Sequence, residues 1–243
     1  MLSRLNLSTK LILQVVIILV CFSLVLVWIF FQFRARVYDE KMMATKHVVE
    51  VAYSLIAQYD ESVKKGQVTL AEAQKLAIKD VQILRYAQKE YFWINDLTPR
   101  MIMHPFAPDL IGADLSDRKD PTGKRIFMEF VKVGKEQGAG MVEYQWPKAG
   151  QTKPVDKISY VTLYKPWGWI IGSGIYVDDV QKELAQISYI ILGIIFLVVL
   201  GSFLLTYLVT RSITHPINEC MDIARRVAAG ETEMNIQSDA KDE

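Results

Sequence analysis

Two long apolar runs, one near each end of the chain, constrain its architecture more than any other feature. Residues 11–33 contain only three clearly polar side chains, and neither this run nor residues 187–209 contain a charged residue. A helix needs about 20 residues to cross the hydrocarbon core of a bilayer. We therefore predict two transmembrane helices, at residues 11–33 and 187–210.

A cleaved signal peptide is the alternative for the first run. The apolar region of a signal peptide is about 7–15 residues long and ends at a cleavage site of small residues. Here the run is longer and continues into "RARVYDEK". The sequence favours an uncleaved membrane helix.

Charges around the second run indicate its orientation. Acidic residues precede it and basic residues follow it, namely Asp178, Asp179 and Glu183, then Arg211, Arg225 and Arg226. Basic flanks stay on the cytoplasmic side of a membrane helix. Both chain ends, beginning with the segment 1–10, are therefore predicted to be cytoplasmic, and residues 34–186 form one external domain.

Composition and cysteine usage narrow the class of protein. A net charge of +1 and 51% hydrophobic residues argue against a disordered tail and against a basic nucleic-acid binder. Cys21 lies inside the first apolar run and Cys220 lies beyond the second. The external domain therefore has no disulfide and depends on a hydrophobic core.

The first part of the external domain has a helical pattern. Apolar residues recur about every 3.6 positions through residues 37–63, without proline or glycine, which predicts a helix that continues out of the membrane. After the break at "KKGQVT", Thr69 and Glu72 form the sequence pattern of a capping box. They predict a second helix that extends to about Gln88.

The period then changes from helix to strand. Short aromatic and β-branched segments separated by turn residues predict five strands, "YFWIN", "RMIMH", "GMVEYQW", "KISYVTLY" and "WGWIIGSGIYV". Between the second and third strands, residues 120–138 predict a helix flanked by loops, with Ile126, Phe127, Phe130 and Val133 on its inner face. This order predicts an α+β fold with a five-stranded antiparallel sheet.

Six ordered segments between residues 85 and 180 carry a resemblance to a known family. They are "YFWIND", "MHP", "LIGADLSDRKDPTGKRIF", "GAGMVEYQWPKAG", "KISYV" and "PWGWIIGSGIYVDDV". Together they resemble the single-Cache sensor domains of bacterial chemoreceptors, the methyl-accepting chemotaxis proteins, and of sensor kinases. The resemblance implies a PAS-like sheet with a ligand pocket between one sheet face and its covering loops. It also implies a periplasmic or extracellular domain anchored in the cell inner membrane, without a cofactor.

Residues 211–243, beyond the second apolar run, resemble the beginning of a HAMP linker. The segment "RSITHPINECMDIARRVAAGE" has a proline soon after the membrane helix and a glycine followed by an acidic residue. Its apolar residues have the a/d spacing of a coiled coil, at Ile217, Met221, Ala224 and Ala228. The sequence stops at Glu243, before a second HAMP helix, so we expect a fragment or a truncated receptor.

The resemblance implies a small carboxylate as ligand, such as acetate, propionate, pyruvate or lactate. A carboxylate is recognised by cationic, N–H or O–H donors in a partly dry site, where charge-assisted hydrogen bonds are strong. Six residues match the family pattern as candidate ligand-binding residues, namely Arg85, Tyr91, Trp93, His104, Tyr144 and Lys157.

Most of these candidates also have a structural interpretation. Tyr91, Trp93 and Tyr144 are aromatic residues in predicted strands, and such residues often belong to the core. Arg85 and Lys157 are of a type that usually lies on a solvated surface.

His104 is the candidate with the most informative position. It could cap a strand end before Pro105, but we prefer a pocket role, because an imidazole is an effective donor to an anion. An amine or amide remains the alternative ligand if Asp114 or Glu143 lines the pocket.

Enzyme signatures are missing from this sequence. It has no Walker motif, no H-E-x-x-H, no cysteine cluster and no nucleophile elbow. His47, His104 and His215 are too far apart in the predicted topology to form a zinc site. The external domain is therefore predicted to bind a ligand without catalysis and without a metal.

The functional prediction is a transmembrane chemoreceptor for a small external ligand. We expect a homodimer, paired through the long first helix, and cytoplasmic signalling partners reached through an output domain beyond this sequence. Two alternatives remain open. One is the sensor region of a histidine kinase or nucleotide cyclase, and the other is a ligand-free, membrane-tethered interaction module.

Overall fold

The computed structural model describes residues 7–87 and 89–230, in two compact units. One unit comprises residues Gln32–Gln186, and the other combines the described parts of residues 1–31 and 187–243. Two predicted segments therefore lie partly outside the described residues, namely the N-terminal segment 1–10 and the HAMP segment 211–243. Gln88 also lies outside the described residues.

Two helices contain the apolar runs. The first, α1, spans Leu7–Lys64 without a break, which confirms the predicted helix over residues 37–63. Both apolar runs lie in helices long and apolar enough to cross a membrane, with mean hydropathies of 3.0 and 2.7 over a window of 18 residues.

A short α2 helix follows α1 and spans Leu70–Ile83. The predicted capping box is present, since the amide of Glu72 donates to the Thr69 hydroxyl over 3.3 Å and the amide of Thr69 donates to the Glu72 carboxylate over 3.0 Å. The predicted end at Gln88 is wrong. After the last buried position at Val81, the chain becomes extended at Leu84, and Tyr86 and Glu90 then pair through their backbones.

The remaining elements form the predicted α+β arrangement. They are β1 (Trp93–Asp96), β2 (Met101–Met103), α3 (Ile126–Gln137), β3 (Ala139–Pro147), β4 (Pro154–Tyr164), β5 (Trp169–Tyr176), α4 (Val177–Val209) and α5 (His215–Ala228). All strand pairs are antiparallel, in the order β2-β1-β5-β4-β3. The prediction of a five-stranded antiparallel sheet is confirmed.

Helices and loops cover the two faces of the sheet differently. The helix face packs against α1 and α2 and contains Val49, Ala52, Ile56, Ala77, Val81, Phe92, Ile94, Met103, Tyr164, Trp169 and Ile171. The cavity face packs against α3 and the loops and contains Trp93, Met101, Leu110, Leu115, Ile126, Phe127, Phe130, Val131, Val142, Tyr144, Trp146, Val161 and Ile170. Successive strand residues point to opposite faces, so neighbouring residues such as Trp93 and Ile94 enter different cores.

Gly172 allows the closest approach within the cavity face. It lies opposite Trp93 in the pairing of β1 with β5. A β-carbon at this position would come within 2.3 Å of the Trp93 ring. The indole therefore rests directly on the backbone of β5.

Candidate ligand-binding site

A small cavity of about 10 Å³ lies on the cavity face of the sheet. Side chains from β1, β3, α3 and the chain next to β1 and β2 line it, and they are Tyr91, Trp93, His104, Phe127, Phe130, Tyr144 and Trp146. The cavity thus brings together four of the six predicted ligand-binding residues, namely Tyr91, Trp93, His104 and Tyr144.

The rings around this cavity contact one another mainly edge to face. Ring centroids lie 5.0 Å apart for Tyr91 and His104, and 5.2 Å apart for Phe130 and Tyr144. Trp93 lies 5.3 Å from Phe130 in a tilted arrangement. These separations are typical of favourable aromatic pairs. Each wall of the cavity is therefore supported by a neighbouring wall.

Lys157 is the one buried lysine of the described chain, and its side chain ends beside this cluster. The residue is 1% exposed. Its ammonium lies 4.3 Å from the ring centroid of Tyr91, 5.6 Å from that of Trp93 and 4.5 Å from that of Tyr176. It also donates to the Tyr176 hydroxyl over 3.4 Å.

No carboxylate within residues 7–87 and 89–230 forms an ion pair with Lys157. Aromatic faces attract a cation, but a buried charge remains costly unless an opposite charge pairs with it. An anion bound at this ammonium would provide that charge. The arrangement around Lys157 is therefore suited to a small anionic ligand.

His104 adds a neutral imidazole to the cavity. Burial, assisted by the positive charge of Lys157, lowers the pKa of His104 to about 3. Its Nδ1 accepts a hydrogen bond from the Phe106 amide over 3.2 Å. This bond places the proton of the neutral ring on Nε2, which makes His104 a hydrogen-bond donor at neutral pH.

Two buried tyrosines extend the set of donors. Burial raises the pKa of Tyr144 and the pKa of Tyr176, so both phenols keep their protons. The Tyr144 hydroxyl lies 3.0 Å from Ser159 Oγ. The Tyr176 hydroxyl donates to the Pro147 carbonyl over 2.9 Å and lies 3.5 Å from the Tyr91 hydroxyl.

Arg85 lies outside the cavity lining. Its side chain is exposed and donates to the carbonyls of Gln82 and Leu84, each over 2.7 Å. The guanidinium stacks 5.1 Å from the ring centroid of Phe106, which itself packs on Tyr91 at 5.1 Å. One aromatic ring thus separates Arg85 from the cavity, and its role in ligand binding stays a prediction.

The acidic residues considered for an amine ligand also lie elsewhere. Asp114 and Glu143 are exposed and do not line the cavity. Within the described residues, no group of three or more histidine, cysteine, aspartate or glutamate side chains is arranged to hold a metal ion. The cavity lining offers hydroxyl and imidazole donors, and the ammonium of Lys157 lies beside it.

Sequence reasoning missed Trp146 and Tyr176 as members of the site. Trp146 lies two residues after Tyr144 in β3, so the period of two could have placed both on the same face. Tyr176 ends β5, in which every residue is buried, and alternation therefore gives no indication of its direction. Phe127 and Phe130 were expected on the inner face of α3, without a link to the ligand.

The comparison with protein families gives one match, which covers most of the unit that comprises residues 32–186. Residues 37–189 match the family described as Single Cache domain 2. The matched range includes β1–β5 and all residues that line the cavity.

Curated relatives include both receptors and a kinase. Methyl-accepting chemotaxis protein McpP of Pseudomonas putida is 42% identical over 212 residues, which are 86% of this chain and 38% of McpP. Sensor histidine kinase MctS of Rhizobium johnstonii is 30% identical over 154 residues, which are 61% of this chain and 32% of MctS. This chain therefore spans less than two fifths of the length of either relative.

Two solved structures of sensor domains resemble this chain over more than half of its length. A "Periplasmic sensor domain of chemotaxis protein" is 46% identical, with a TM-score of 0.57, over 58% of this chain and 97% of that one. A structure described as "Structural basis for carboxylic acid recognition by a Cache chemosensory domain" is 50% identical, with a TM-score of 0.57, over 59% of this chain and 97% of that one.

Proposed function

From the premise that this chain belongs to the single Cache domain family, we propose that it senses a short carboxylate outside the cell inner membrane. Acetate, propionate, pyruvate and lactate are the proposed ligands. The observation that carries this proposal is the buried ammonium of Lys157, which has aromatic neighbours and no carboxylate partner in the described chain. A similar Cache domain, half identical in sequence, is described as recognising carboxylic acids.

The ligand would lie with its charged end at Lys157. Tyr91, Tyr144 and the Nε2–H of His104 would donate to the carboxylate oxygens, and Trp93 would form a wall. Charge-assisted hydrogen bonds of this kind are stronger in a dry site than in water. The short carbon chain would contact the three apolar rings of Phe127, Phe130 and Trp146, which line the same cavity.

The size of such a ligand limits its affinity. Four to six non-hydrogen atoms, at a ceiling of about 1.5 kcal/mol each, contribute at most roughly 6–9 kcal/mol. This range corresponds to dissociation constants from about millimolar to micromolar. The proposed site is therefore suited to environmental metabolites, which can reach such concentrations.

Signalling would start at the end of β5. Tyr176, which contacts the Lys157 ammonium, is the last residue of β5, and α4 begins at the next residue, Val177. A carboxylate at Lys157 would compete with the Tyr176 hydroxyl for this ammonium. The resulting shift would move the start of α4 and bias the equilibrium between two signalling states.

We propose a chemoreceptor as the whole protein, because McpP is the relative with the higher identity and coverage. Residues 11–33 and 187–210 would cross the membrane, residues 34–186 would form the periplasmic sensor, and residues 211–243 would begin a HAMP linker. A homodimer and cytoplasmic signalling partners belong to the same proposal. A sensor histidine kinase is the second candidate, supported by the similarity to MctS.

The replacement Lys157→Met tests the ligand class. In the full chain, purified in detergent, we expect propionate binding to be lost in isothermal titration calorimetry. Methionine fills a similar volume without a charge, so the ligand-free protein should keep or increase its stability, as is common when buried ionic groups are replaced by apolar ones.

Lys153→Met is the matched control, because Lys153 is an exposed lysine shortly before β4. It should bind propionate like the wild type. Unchanged propionate binding in Lys157→Met would contradict the proposed site. A wild-type protein that binds none of the four short carboxylates would favour the ligand-free interaction module instead.

A further inference from the structure

A charged groove borders the aromatic cavity on the other side of Tyr91. This Glu90 groove has a volume of about 510 Å³ and shares Tyr91 with the cavity lining, while Tyr176, which contacts Lys157, lines it as well. Its ionisable residues come from α1, the segment before β1, the β3–β4 connection and α4, and they are Lys41, Lys89, Glu90, Lys148, Asp179, Lys182 and Glu183.

Glu90 differs from the other two carboxylates of this groove. Glu183 pairs with Lys41 over 2.9 Å, and Asp179 pairs with Lys148 over 2.6 Å. Glu90 is half-buried, and its Oε2 atom is buried without a hydrogen-bond partner among the described residues. The two backbone hydrogen bonds between Glu90 and Tyr86, of 3.0 and 3.3 Å, fix its position immediately before Tyr91.

Complementary charged groups thus lie beside the cavity and in the groove. Lys157 is a buried cation without an ion-pair partner among the described residues, and the buried Oε2 atom of Glu90 has no hydrogen-bond donor there. The two side chains interact electrostatically. Burial raises the pKa of Glu90 and the negative charge of Asp179 adds to this effect, whereas the positive charges of Lys157 and Lys148 act to lower the pKa.

We propose that Glu90 is an internal counterion of Lys157. When a carboxylate ligand binds at Lys157, the positive charge of this lysine no longer stabilises ionised Glu90, and Glu90 takes up a proton. This inference rests on the proposed carboxylate site and adds a regulatory property to it. Binding of the ligand anion is then coupled to binding of one proton.

The direction of the coupling follows from the charges. A carboxylate bound at Lys157 neutralises the charge that favours ionised Glu90, and its own negative charge repels that ion. The pKa of Glu90 is therefore higher in the complex than in the free protein. Affinity decreases as the pH rises through the range between these two values, by up to about tenfold per pH unit for one proton.

Calorimetry of the full chain in detergent tests this coupling. Propionate is titrated between pH 5 and 8 in pairs of buffers with different enthalpies of ionisation, which report the number of protons taken up. We expect up to one proton per propionate in the wild type. Glu90→Gln should show no uptake, tighter binding at the upper end of the range and a flat pH profile.

Glu183→Gln is the matched control, because Glu183 lies in the same groove but pairs with Lys41. It should keep the wild-type uptake. Proton uptake that persists in Glu90→Gln would assign the proton to another group, His104 above all, and would overturn the inference. Glu90→Met provides a second replacement if the glutamine variant does not fold.

Failure of this inference is distinguishable from failure of the proposed function. Propionate binding without proton uptake in the wild type would overturn the role of Glu90 and leave the carboxylate site intact. An absence of binding for acetate, propionate, pyruvate and lactate would overturn both.

Discussion

The helix face and the cavity face of the same sheet bury different kinds of side chains. On the helix face, aliphatic residues such as Val49, Ile56 and Ile94 are completely buried and belong to one hydrophobic cluster. On the cavity face, aromatic rings enclose a cationic lysine and a neutral histidine. One sheet therefore carries a stabilising core on one side and the proposed binding site on the other.

The difference shows how a marginally stable domain can keep a charge in its interior. Native domains have a net stability of only about 5–15 kcal/mol, and one unpaired buried ion consumes a substantial part of it. Packing on the helix face offsets this cost. Substitutions that change only stability are therefore expected on one face, and substitutions that change ligand binding are expected on the other.

The largest effect on stability is expected from Ile56→Ala on the helix face. Removing a completely buried isoleucine leaves a cavity, which costs about 2–5 kcal/mol of unfolding free energy. Urea denaturation of the full chain measures this loss, and Val51→Ala, at a 65% exposed position of α1, is the control. A large loss of propionate affinity in Ile56→Ala, measured under native conditions, would show that the two faces are not independent.

A smaller effect is expected from the protonation of His104 on the cavity face. Its pKa is about 3 in the folded protein and about 6.5 in the unfolded chain. Protons therefore bind preferentially to the unfolded chain below pH 6.5, and this residue alone removes roughly 2 kcal/mol of stability between pH 6.5 and 5.

Urea denaturation at several pH values tests this contribution. His104→Phe should weaken the loss of stability toward pH 5. His47→Gln, at an exposed position of α1, should keep the wild-type profile. Equal profiles for wild type and His104→Phe would contradict a buried, neutral His104.

The smallest effect is expected where the cavity side meets α4. Lys148 is 16% exposed and bridges Asp178 over 2.8 Å and Asp179 over 2.6 Å in the first turn of α4. Lys148→Met should cost about 0.5–1 kcal/mol, because the pair is only partly shielded from solvent.

Lys182→Met is its matched control, since Lys182 reaches the same two aspartates but is 72% exposed. Its stability in urea denaturation should stay within about 0.5 kcal/mol of the wild type. Equal losses in the two variants would show that burial of Lys148 adds nothing to this contact.

The sequence predicted elements wherever local chemistry determines them. Thr69 and Glu72 satisfy each other's backbone at the beginning of α2, so a pattern of four residues was sufficient. The apolar and aromatic pattern of the strands and of the inner face of α3 predicted the order of these elements correctly. The end of α2 was missed because helix-forming residues continue past Ile83, whereas the backbone pairing of Tyr86 with Glu90 depends on the fold.

The candidate site was harder to predict, because it depends on contacts between residues that are far apart in the sequence. Lys157 has the sequence context of an ordinary strand lysine, and only the fold brings it beside Tyr91 and Trp93. Its ammonium is covered by the rings of Tyr91, Trp93 and Tyr176, which come from distant parts of the chain. Arg85 is the opposite case. The family pattern predicted it as a ligand-binding residue, but its side chain is exposed in the fold.

The small volume of the cavity has a consequence for the speed of sensing. About 10 Å³ accommodates roughly one water molecule, whereas a short carboxylate has four to six non-hydrogen atoms. The proposed ligand would therefore enter only if rings such as Phe130 and Tyr144 moved apart, and ring motion rather than diffusion would then limit the association rate. A receptor of this kind would average over concentration changes that are faster than the opening of its cavity and would respond to the slower trend.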